Sequence, residues 1–316
     1  MKAIFRLLSP SSGHLALSLW FLSVFSSFAD DKEFTLETAR AAADKDDPQA
    51  QFVLARHYTD GIGVPRDYVK ALSYLRQSAE QGYAPAQTSL GSCYAHGRGV
   101  KQDYIEAVRW YRKAADQGDS LAEYGLGYAY AKGKGVSQDT DAALKWWRKS
   151  AEQGQVYAQN ALGQFYLHGE HPGDTNHINY TEAVKWLRRA AEQGYTPAMG
   201  VLGSMYQYAI GVDRDWAQAL QWNRRAAERG DAMAQDNLGQ MYENGNAGLP
   251  RDLVQAYKWF WLSDQQGNAG GRHDVIEIEL HHALTPEQIA EAKRMADEFR
   301  SQLPATLPAS AQGGQN

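Results

Sequence analysis

A motif reading A-x-x-x-L-G-x-x-Y recurs six times along the 316-residue chain, with an alanine in place of the glycine in the first copy. Successive copies lie 36, 36, 36, 40 and 36 residues apart, and they begin at Ala50, Ala86, Ala122, Ala158, Ala198 and Ala234. A second motif, A-x-x-W/Y, follows each copy. A period of this length indicates a solenoid, in which each structural unit packs only against its neighbours.

Each period predicts two helices. In the first helix the alanine, leucine and tyrosine lie four residues apart and form one apolar stripe. The glycine after the leucine costs a helix about 1 kcal/mol, so its recurrence predicts that a neighbouring helix packs too closely for a side chain. Asp103 and Glu106 predict a capping box at the second helix, which ends each time at a glycine. Asp47-Pro48 and Thr196-Pro197 predict starts of first helices.

The combined string L-G-x-x-Y, G-x-G-V, D, A-x-x-W and A-A-E-Q-G resembles the Sel1 repeat, a relative of the tetratricopeptide repeat with a longer turn. The resemblance covers residues 46–268. It implies an all-α fold, a right-handed superhelical α/α solenoid of six Sel1-like repeats with N- and C-terminal capping helices. Because the motif residues are structural, the resemblance carries no catalytic activity with it.

The segments outside the repeats are predicted to close the array, because an end unit otherwise exposes its apolar face. Residues 30–45 resemble a lone second helix and are predicted to form the N-terminal cap. Residues 269–300 are predicted to form the C-terminal capping region, with a loop at Gly270-Gly271 and a helix that opens at Thr285. The composition of residues 301–316 predicts a disordered tail.

Residues 1–29 have the organisation of a secretory signal peptide. Lys2 and Arg6 precede a hydrophobic run over 15–28, and small residues at 27 and 29 offer a cleavage site. The run of about 14 residues is short for a bilayer span, which needs about 20. Its length therefore favours a cleaved signal peptide over the alternative, an uncleaved membrane anchor. We therefore predict an exported protein located in the periplasm, with secretion as a second destination and no membrane span after cleavage.

Charge and cysteine content narrow the classes of partner. The formal net charge of −5 becomes −7 without residues 1–29, which carry two cations and no acid. A mildly acidic chain disfavours nucleic acid as a partner. Cys93 is the only cysteine and cannot form an internal disulfide. Its place on a first helix predicts a buried thiol in preference to a reactive one.

The sequence lacks the short motifs that mark common catalytic and metal sites. No G-x-S-x-G, P-loop or H-E-x-x-H motif is present, so we predict no enzyme and no cofactor. The longer turn of the fourth repeat carries His168, Glu170, His171, Asp174 and His177. Their spacing fits no established metal motif, so we predict a solvated loop without metal; a zinc site is the alternative.

The tryptophans suggest a second class of ligand. Five of them occupy the recurring aromatic slot of the second helix, where packing explains them: Trp110, Trp146, Trp186, Trp222 and Trp259. Trp147, Trp216 and Trp261 lie off that slot and are predicted to be partly exposed. Exposed indole rings could stack on a sugar, although extra packing is the simpler interpretation.

If first helices line a concave face, as the resemblance implies, the binding residues lie opposite the buried stripe. The predicted binding residues are Phe52, Arg56, Tyr124, Tyr128, Asn160, Gln164, Gln207, Asp236, Gln240 and Glu243. Tyrosines, amides and an arginine suit contacts with proteins or peptides. We therefore predict a non-enzymatic scaffold, adaptor or inhibitor that binds envelope proteins. The alternatives are a protein that binds or hydrolyses cell-wall material (peptidoglycan or β-lactam) and a secreted factor that meets host proteins.

Overall fold

The computed structural model describes residues 34–170 and 175–303, and it contains fifteen helices and no strand within those ranges. The helices are α1 Leu36–Ala43, α2 Pro48–Asp60, α3 Tyr68–Glu80, α4 Ala84–His96, α5 Tyr104–Ala115, α6 Ser120–Lys132, α7 Thr140–Glu152, α8 Val156–His168, α9 Tyr180–Glu192, α10 Thr196–Tyr208, α11 Trp216–Ala227, α12 Ala232–Asn244, α13 Leu253–Asp264, α14 Ala269–Leu280 and α15 Pro286–Gln302. The predicted all-α fold with six two-helix repeats is confirmed. The predicted signal peptide and almost all of the predicted tail lie outside the described residues.

The described residues form two compact units, 34–162 and 163–303. In the first unit the hairpins α2/α3, α4/α5 and α6/α7 follow one another, and α1 packs on α2. In the second unit the hairpins α10/α11 and α12/α13 follow α9, and α13 also packs on α14 and α15. None of the described helices has both the length and the apolar character that a bilayer crossing requires.

Polar caps begin the second helix of every repeat. The side chains of Asp67, Asp103, Asp139, Asn179, Asp215 and Asp252 accept hydrogen bonds from the first turn that follows them. The predicted reciprocal bond from Glu106 is replaced by an ion pair between Glu106 and Arg109. The glycine after each second helix has a φ of 81–94°, which confirms the predicted left-handed ends: Gly82, Gly118, Gly154, Gly194, Gly230 and Gly267.

Two predicted helix starts need correction. Tyr195, not Thr196, is the N-cap of α10, and Pro197 occupies the second position of the helix. The predicted loop at Gly270-Gly271 is wrong, because Asn268 caps α14 and both glycines lie in its first turn. A Cβ on Gly271 would lie 2.7 Å from the Phe260 carbonyl oxygen. These glycines therefore allow α14 to approach α13 closely; they do not interrupt a helix.

The recurring glycine of the first helix faces a bulky side chain on the second helix of the same repeat. A Cβ would lie 2.8 Å from the ring of Tyr111 at Gly91 and 2.5 Å from the Phe260 ring at Gly239. The other pairs in this arrangement are Gly127 with Trp147, Gly163 with Leu187 and Gly203 with Asn223. The predicted close approach is confirmed. Trp147 is 8% exposed and fills this contact, which confirms extra packing as the interpretation of this residue and excludes partial exposure.

Glutamine pairs link the two helices of a repeat near the end of the second helix. The Nε2 atom of the later residue donates to the earlier one over 2.7–2.8 Å in the pairs Gln81–Gln51, Gln117–Gln87, Gln153–Glu123 and Gln266–Gln235. Gln87 also donates to the Ala79 carbonyl of the preceding repeat. In the third repeat the acceptor is the carboxylate of Glu123, which is fully buried and forms a 2.8 Å ion pair with Lys149. Buried polar groups therefore join neighbouring hairpins through satisfied hydrogen bonds.

First helices of consecutive repeats also contact each other. The position two residues after the repeat alanine lies against the start of the next first helix. The rings of Phe52 and Tyr83 are 5.5 Å apart, and Thr88 Oγ1 donates to Asp119 over 3.0 Å. At Gly200 a Cβ would lie 2.7 Å from Oδ1 of Asp231. This position is therefore an inter-repeat contact.

The glycine–ring contact predicts that a glycine-to-alanine substitution, which usually stabilises a helix, destabilises this protein. Gly239→Ala should lower the free energy of unfolding by about 2 kcal/mol through overpacking, although alanine normally favours a helix by about 1 kcal/mol. Adding Phe260→Leu should recover much of this loss, because repeat 1 pairs Ala55 and Leu75 in one buried cluster. Urea denaturation followed by circular dichroism measures both effects. Strictly additive losses in the double variant would contradict the proposed contact.

Asp231 predicts a pH dependence of stability. Its carboxylate caps α12 through the Ala234 N–H at 2.8 Å, and burial raises its pKa to about 6. The folded state then holds a proton that the unfolded state has lost, so stability rises as the pH falls from 7 to 5. Between pH 7 and pH 5 the free energy of unfolding of the wild type should rise by about 1 kcal/mol relative to that of Asp231→Asn. A difference between the two proteins that stays constant with pH, in urea denaturation at both pH values, would refute this assignment.

Candidate binding pocket

The structure separates the ten predicted binding residues into buried and half-exposed groups. Phe52, Gln207 and Asp236 are 1%, 4% and 4% exposed, so their predicted exposure is wrong. Phe52 and Asp236 occupy the inter-repeat contact, which a projection of one isolated helix does not reveal. The half-exposed residues are Arg56, Tyr124, Tyr128, Asn160, Gln164, Gln240 and Glu243. Whether any of them binds a partner stays a prediction.

Tyr124 and Tyr128 line a cavity of about 190 Å³ within the unit formed by residues 34–162. Helices α4, α5 and α6 supply most of its wall, and the turns before α5 and after α6 supply the rest. The apolar part of the wall consists of Ala95, Ala107, Val108, Gly125 and Ala129 together with the rings of Tyr104, Tyr111, Tyr124 and Tyr128. The polar part consists of His96, Gln102 and Lys134.

The floor of the pocket is the ring of Tyr111. Tyr111 is 3% exposed and lies between Gly91 of its own repeat and Gly125 of the next repeat. A Cβ at Gly125 would lie 3.1 Å from the Tyr111 ring, and valine occupies the equivalent positions 53 and 201. The small residue at 125 therefore leaves the space that the cavity occupies.

The rim of the pocket consists of His96, Gln102, Tyr104 and Lys134, and the turn after α6 positions Lys134 there. Gly135 has a φ of 76° and packs on the backbone of Tyr104, which places Lys134 beside the Tyr104 side chain. Lys134 Nζ donates to the Tyr104 hydroxyl over 3.2 Å and lies 5.6 Å from the centre of the Tyr128 ring. Gln102 Nε2 donates to the same hydroxyl over 2.9 Å and to the Ala95 carbonyl over 2.7 Å. The rim is thus a polar cluster beside an aromatic cavity.

The two ionisable groups of the rim differ in charge at neutral pH. The hydrogen bond to Tyr104 raises the pKa of Lys134, which remains a cation. Burial lowers the pKa of His96, and the nearby cations Arg98 and Lys134 lower it further. His96 Nδ1 lies 2.9 Å from the Ser92 carbonyl oxygen, so the neutral ring carries its proton there. One positive charge therefore stands at the entrance of a largely apolar cavity.

Gln207, Asp236 and Gln240 belong instead to a polar chain inside the unit formed by residues 163–303. Asn237 Nδ2 donates to Asn223 Oδ1 over 3.1 Å, and Asn223 Nδ2 donates to Gln207 Oε1 over 3.4 Å. Gln207 in turn donates to Gln240 over 3.4 Å, and Gln240 donates to Asp236 over 3.0 Å. Because these amides bond to one another between α10, α11 and α12, they hold the packing of that region.

The other predicted features give no comparable site. Trp261 stacks on Tyr257 with 6.3 Å between ring centres, and Lys293 Nζ lies 4.2 Å from the Trp261 ring centre. The Trp261 ring therefore joins α13 to α15. Trp216 is half-exposed, with Arg214 over its ring.

Cys93 is buried, as predicted. Burial raises the pKa of its thiol to about 12, so the nucleophilic thiolate is scarce at neutral pH.

The metal alternative rests on a loop that is described only in part. His171 and Asp174 lie outside the described residues. His168 Nε2 lies 3.1 Å from Gln164 Oε1, and the His177 ring packs on Phe165 with 5.4 Å between centres. Over residues 34–170 and 175–303, no group of three or more His, Cys, Asp or Glu side chains is placed to hold a metal ion.

The sequence interpretation missed most of this pocket. It found Tyr124 and Tyr128, but Tyr104, Tyr111 and Lys134 come from a second helix and a turn, outside the first-helix face that was considered. The sequence does contain a pattern that could have predicted the role of Tyr104, because tyrosine recurs at the start of second helices at 68, 104 and 180. The turn of the following repeat packs on that tyrosine at Gly99, Gly135 and Gly211.

Family and fold comparisons agree with this architecture. The Sel1 repeat family profile matches six consecutive segments: residues 48–83, 84–119, 120–155, 156–195, 196–231 and 232–260. The chain therefore belongs to the Sel1 repeat family, whose repeats mediate protein–protein interactions. A comparison with curated proteins gave no significant match.

Two solved structures illustrate the similarity. The chain is 35% identical to a protective antigen of uropathogenic Escherichia coli with an SLR fold, with a TM-score of 0.70 over 84% of this chain. It spans only 56% of that antigen's length. It is 32% identical to a Sel1 repeat protein from Oxalobacter formigenes, with a TM-score of 0.60 over 69% of this chain and 85% of that one.

The rim cation is expected to contribute little to stability. Position 134 corresponds to Ile62 and Ile210 in other repeats, so the turn accepts an apolar residue there. Lys134→Ile removes one hydrogen bond and a contact with two aromatic rings, and should lower the free energy of unfolding by about 1 kcal/mol or less. Urea denaturation tests this. A loss well above 2 kcal/mol, about twice that expectation, would identify Lys134 as a structural residue.

Proposed function

We propose that this protein is a non-enzymatic scaffold that binds partner polypeptides in the bacterial cell envelope, as an adaptor or an inhibitor. Membership of the Sel1 repeat family supports binding of proteins as its general role. The observation that carries the proposal is the tyrosine-lined cavity between repeats 2 and 3. Tyr124 and Tyr128, two of the residues that the sequence interpretation selected, contribute to its wall.

The character of the cavity favours a polypeptide partner. Tyrosine is enriched among residues that dominate binding energy, since its ring adds area and its hydroxyl adds a directional bond. A cavity of about 190 Å³ is close to one of about 150 Å³ that holds a benzene molecule. Small-molecule sites usually exceed about 300 Å³. The cavity therefore suits one side chain of a larger partner.

Export to the periplasm is the second part of the proposal. Its support is the sequence of residues 1–29, with two cations, an apolar run and small residues at the cleavage position. The similarity to a protective antigen is consistent with a location beyond the cytoplasm. Fractionation of cells that express the full chain tests this part, and retention of the uncleaved protein in the cytoplasm would reject it.

Affinity capture with matched variants tests the binding function. Tyr124→Thr/Tyr128→Ser introduces the residues found at the equivalent positions 88 and 92, so the fold should tolerate both changes. Tyr180→Ala removes a tyrosine that is 39% exposed in the other unit and serves as control. After cross-linking in the envelope fraction, quantitative mass spectrometry should find one polypeptide with wild type and control, and at least about tenfold less with the double variant. Equal recovery with all three proteins would reject the pocket as the binding site.

A further inference from the structure

The Tyr104 hydroxyl at the pocket rim can donate one hydrogen bond that the described residues do not use. It accepts hydrogen bonds from Gln102 Nε2 at 2.9 Å and from Lys134 Nζ at 3.2 Å. A phenol oxygen has two lone pairs, so its own O–H is left to donate. No acceptor for that proton is found among the hydrogen bonds of the described chain. A ligand that offers an acceptor at the rim would satisfy it.

Lys134 adds an uncompensated positive charge at the same place. Its ammonium group has three N–H donors, and no carboxylate in the described parts of the chain lies within ion-pair distance of it. Some other lysines of this acidic protein do have such a partner: Lys149 pairs with Glu123, and Lys185 pairs with Glu182. Charge-assisted bonds to a carboxylate are about twice as strong as neutral ones. The rim is therefore complementary to an anionic acceptor.

The cavity behind the rim takes an apolar group of limited size. Ala107, Val108 and Tyr111 are at most 5% exposed and form the floor, whereas Tyr104 and Lys134 are half-exposed at the rim. The volume of about 190 Å³ admits one ring-sized group. The ligand must therefore carry a carboxylate and a hydrophobic group within a few bonds of each other. The last residue of a polypeptide does so, because both groups diverge from a single Cα atom.

We infer that the pocket binds the C-terminal residue of a partner polypeptide, with its hydrophobic side chain against Tyr111 and its carboxylate on Lys134 Nζ and Tyr104 OH. This inference deepens the proposed scaffold function and rests on it. An internal segment of the partner would bring a side chain but no terminal carboxylate. A free organic acid would bring a carboxylate and an apolar group but no polypeptide. Those two occupants are therefore outcomes that the test must separate.

The test uses the full chain and three probes in isothermal titration calorimetry. The first is an N-acetylated tetrapeptide that ends in phenylalanine with a free carboxylate. The second is the same peptide with a C-terminal amide, and the third is hydrocinnamate, which has the ring and carboxylate alone. We expect the free acid to bind at least about tenfold more tightly than the amide, and more tightly than hydrocinnamate. Equal affinity for acid and amide, no binding of any probe, or hydrocinnamate as the tightest ligand would each overturn the inference.

Two variants test whether the preference for the free acid arises in the pocket. Lys134→Ile, which copies residue 210, should abolish the preference for acid over amide, whatever its effect on the binding of the amide. Ala95→Leu copies residue 167 and should block all probes by filling the cavity. A preference for the acid that persists in Lys134→Ile would overturn the inference. If Ala95→Leu abolishes capture of the envelope partner but Lys134→Ile does not, the scaffold function stands and the C-terminal assignment falls.

Discussion

The contact between a first-helix glycine and a bulky side chain on the second helix is the constraint on which repeats 2 to 6 depend. It brings the two helices so close that no methyl group fits, as at Gly91 against Tyr111 and Gly239 against Phe260. Because the glycine is fixed, the chain varies its partner, which is tyrosine, tryptophan, leucine, asparagine or phenylalanine in different repeats. In two repeats the second-helix residue also contacts the next repeat, as Tyr111 does at Gly125 and Asn223 does at Asn237. Its identity therefore decides what can form between two neighbouring hairpins.

Comparison of two such junctions shows the consequence. Between repeats 2 and 3, Tyr111 meets Gly125, and the missing side chain leaves the aromatic cavity. Between repeats 5 and 6, Asn223 meets Asn237 at the corresponding positions, and the two amides bond over 3.1 Å. The first pair leaves an aromatic cavity, and the second forms part of a chain of hydrogen-bonded amides. One pair of positions thus distinguishes a junction that contains a cavity from a junction closed by hydrogen bonds.

The sequence was sufficient for the fold because each repeat carries its own local signals: an apolar stripe, a capping Asp or Asn and a terminal glycine. It was insufficient where neighbouring helices decide the outcome. Phe52 and Asp236 were placed on an exposed face by helix periodicity, but the next first helix covers that position. The pocket was found only in part, because Lys134 reaches it from a turn whose position depends on the packing of Gly135 on Tyr104. Long-range packing of this kind has no signature within one helix.

The separation of structural and variable positions also explains how one repeat can carry the residues of the proposed binding pocket within the same hairpin fold. Tyr124, Tyr128 and Lys134 stand where other repeats carry Thr88, Ser92 and Ile210, so the hairpin does not require them. Glu123 shows the limit of this freedom. It takes the place of the first-helix glutamine that forms the glutamine pair in other repeats. Burial raises the pKa of the Glu123 carboxylate, and Lys149 compensates its charge. Lys134 has no carboxylate within ion-pair distance among the described residues, so its charge is available to the anionic ligand that we propose.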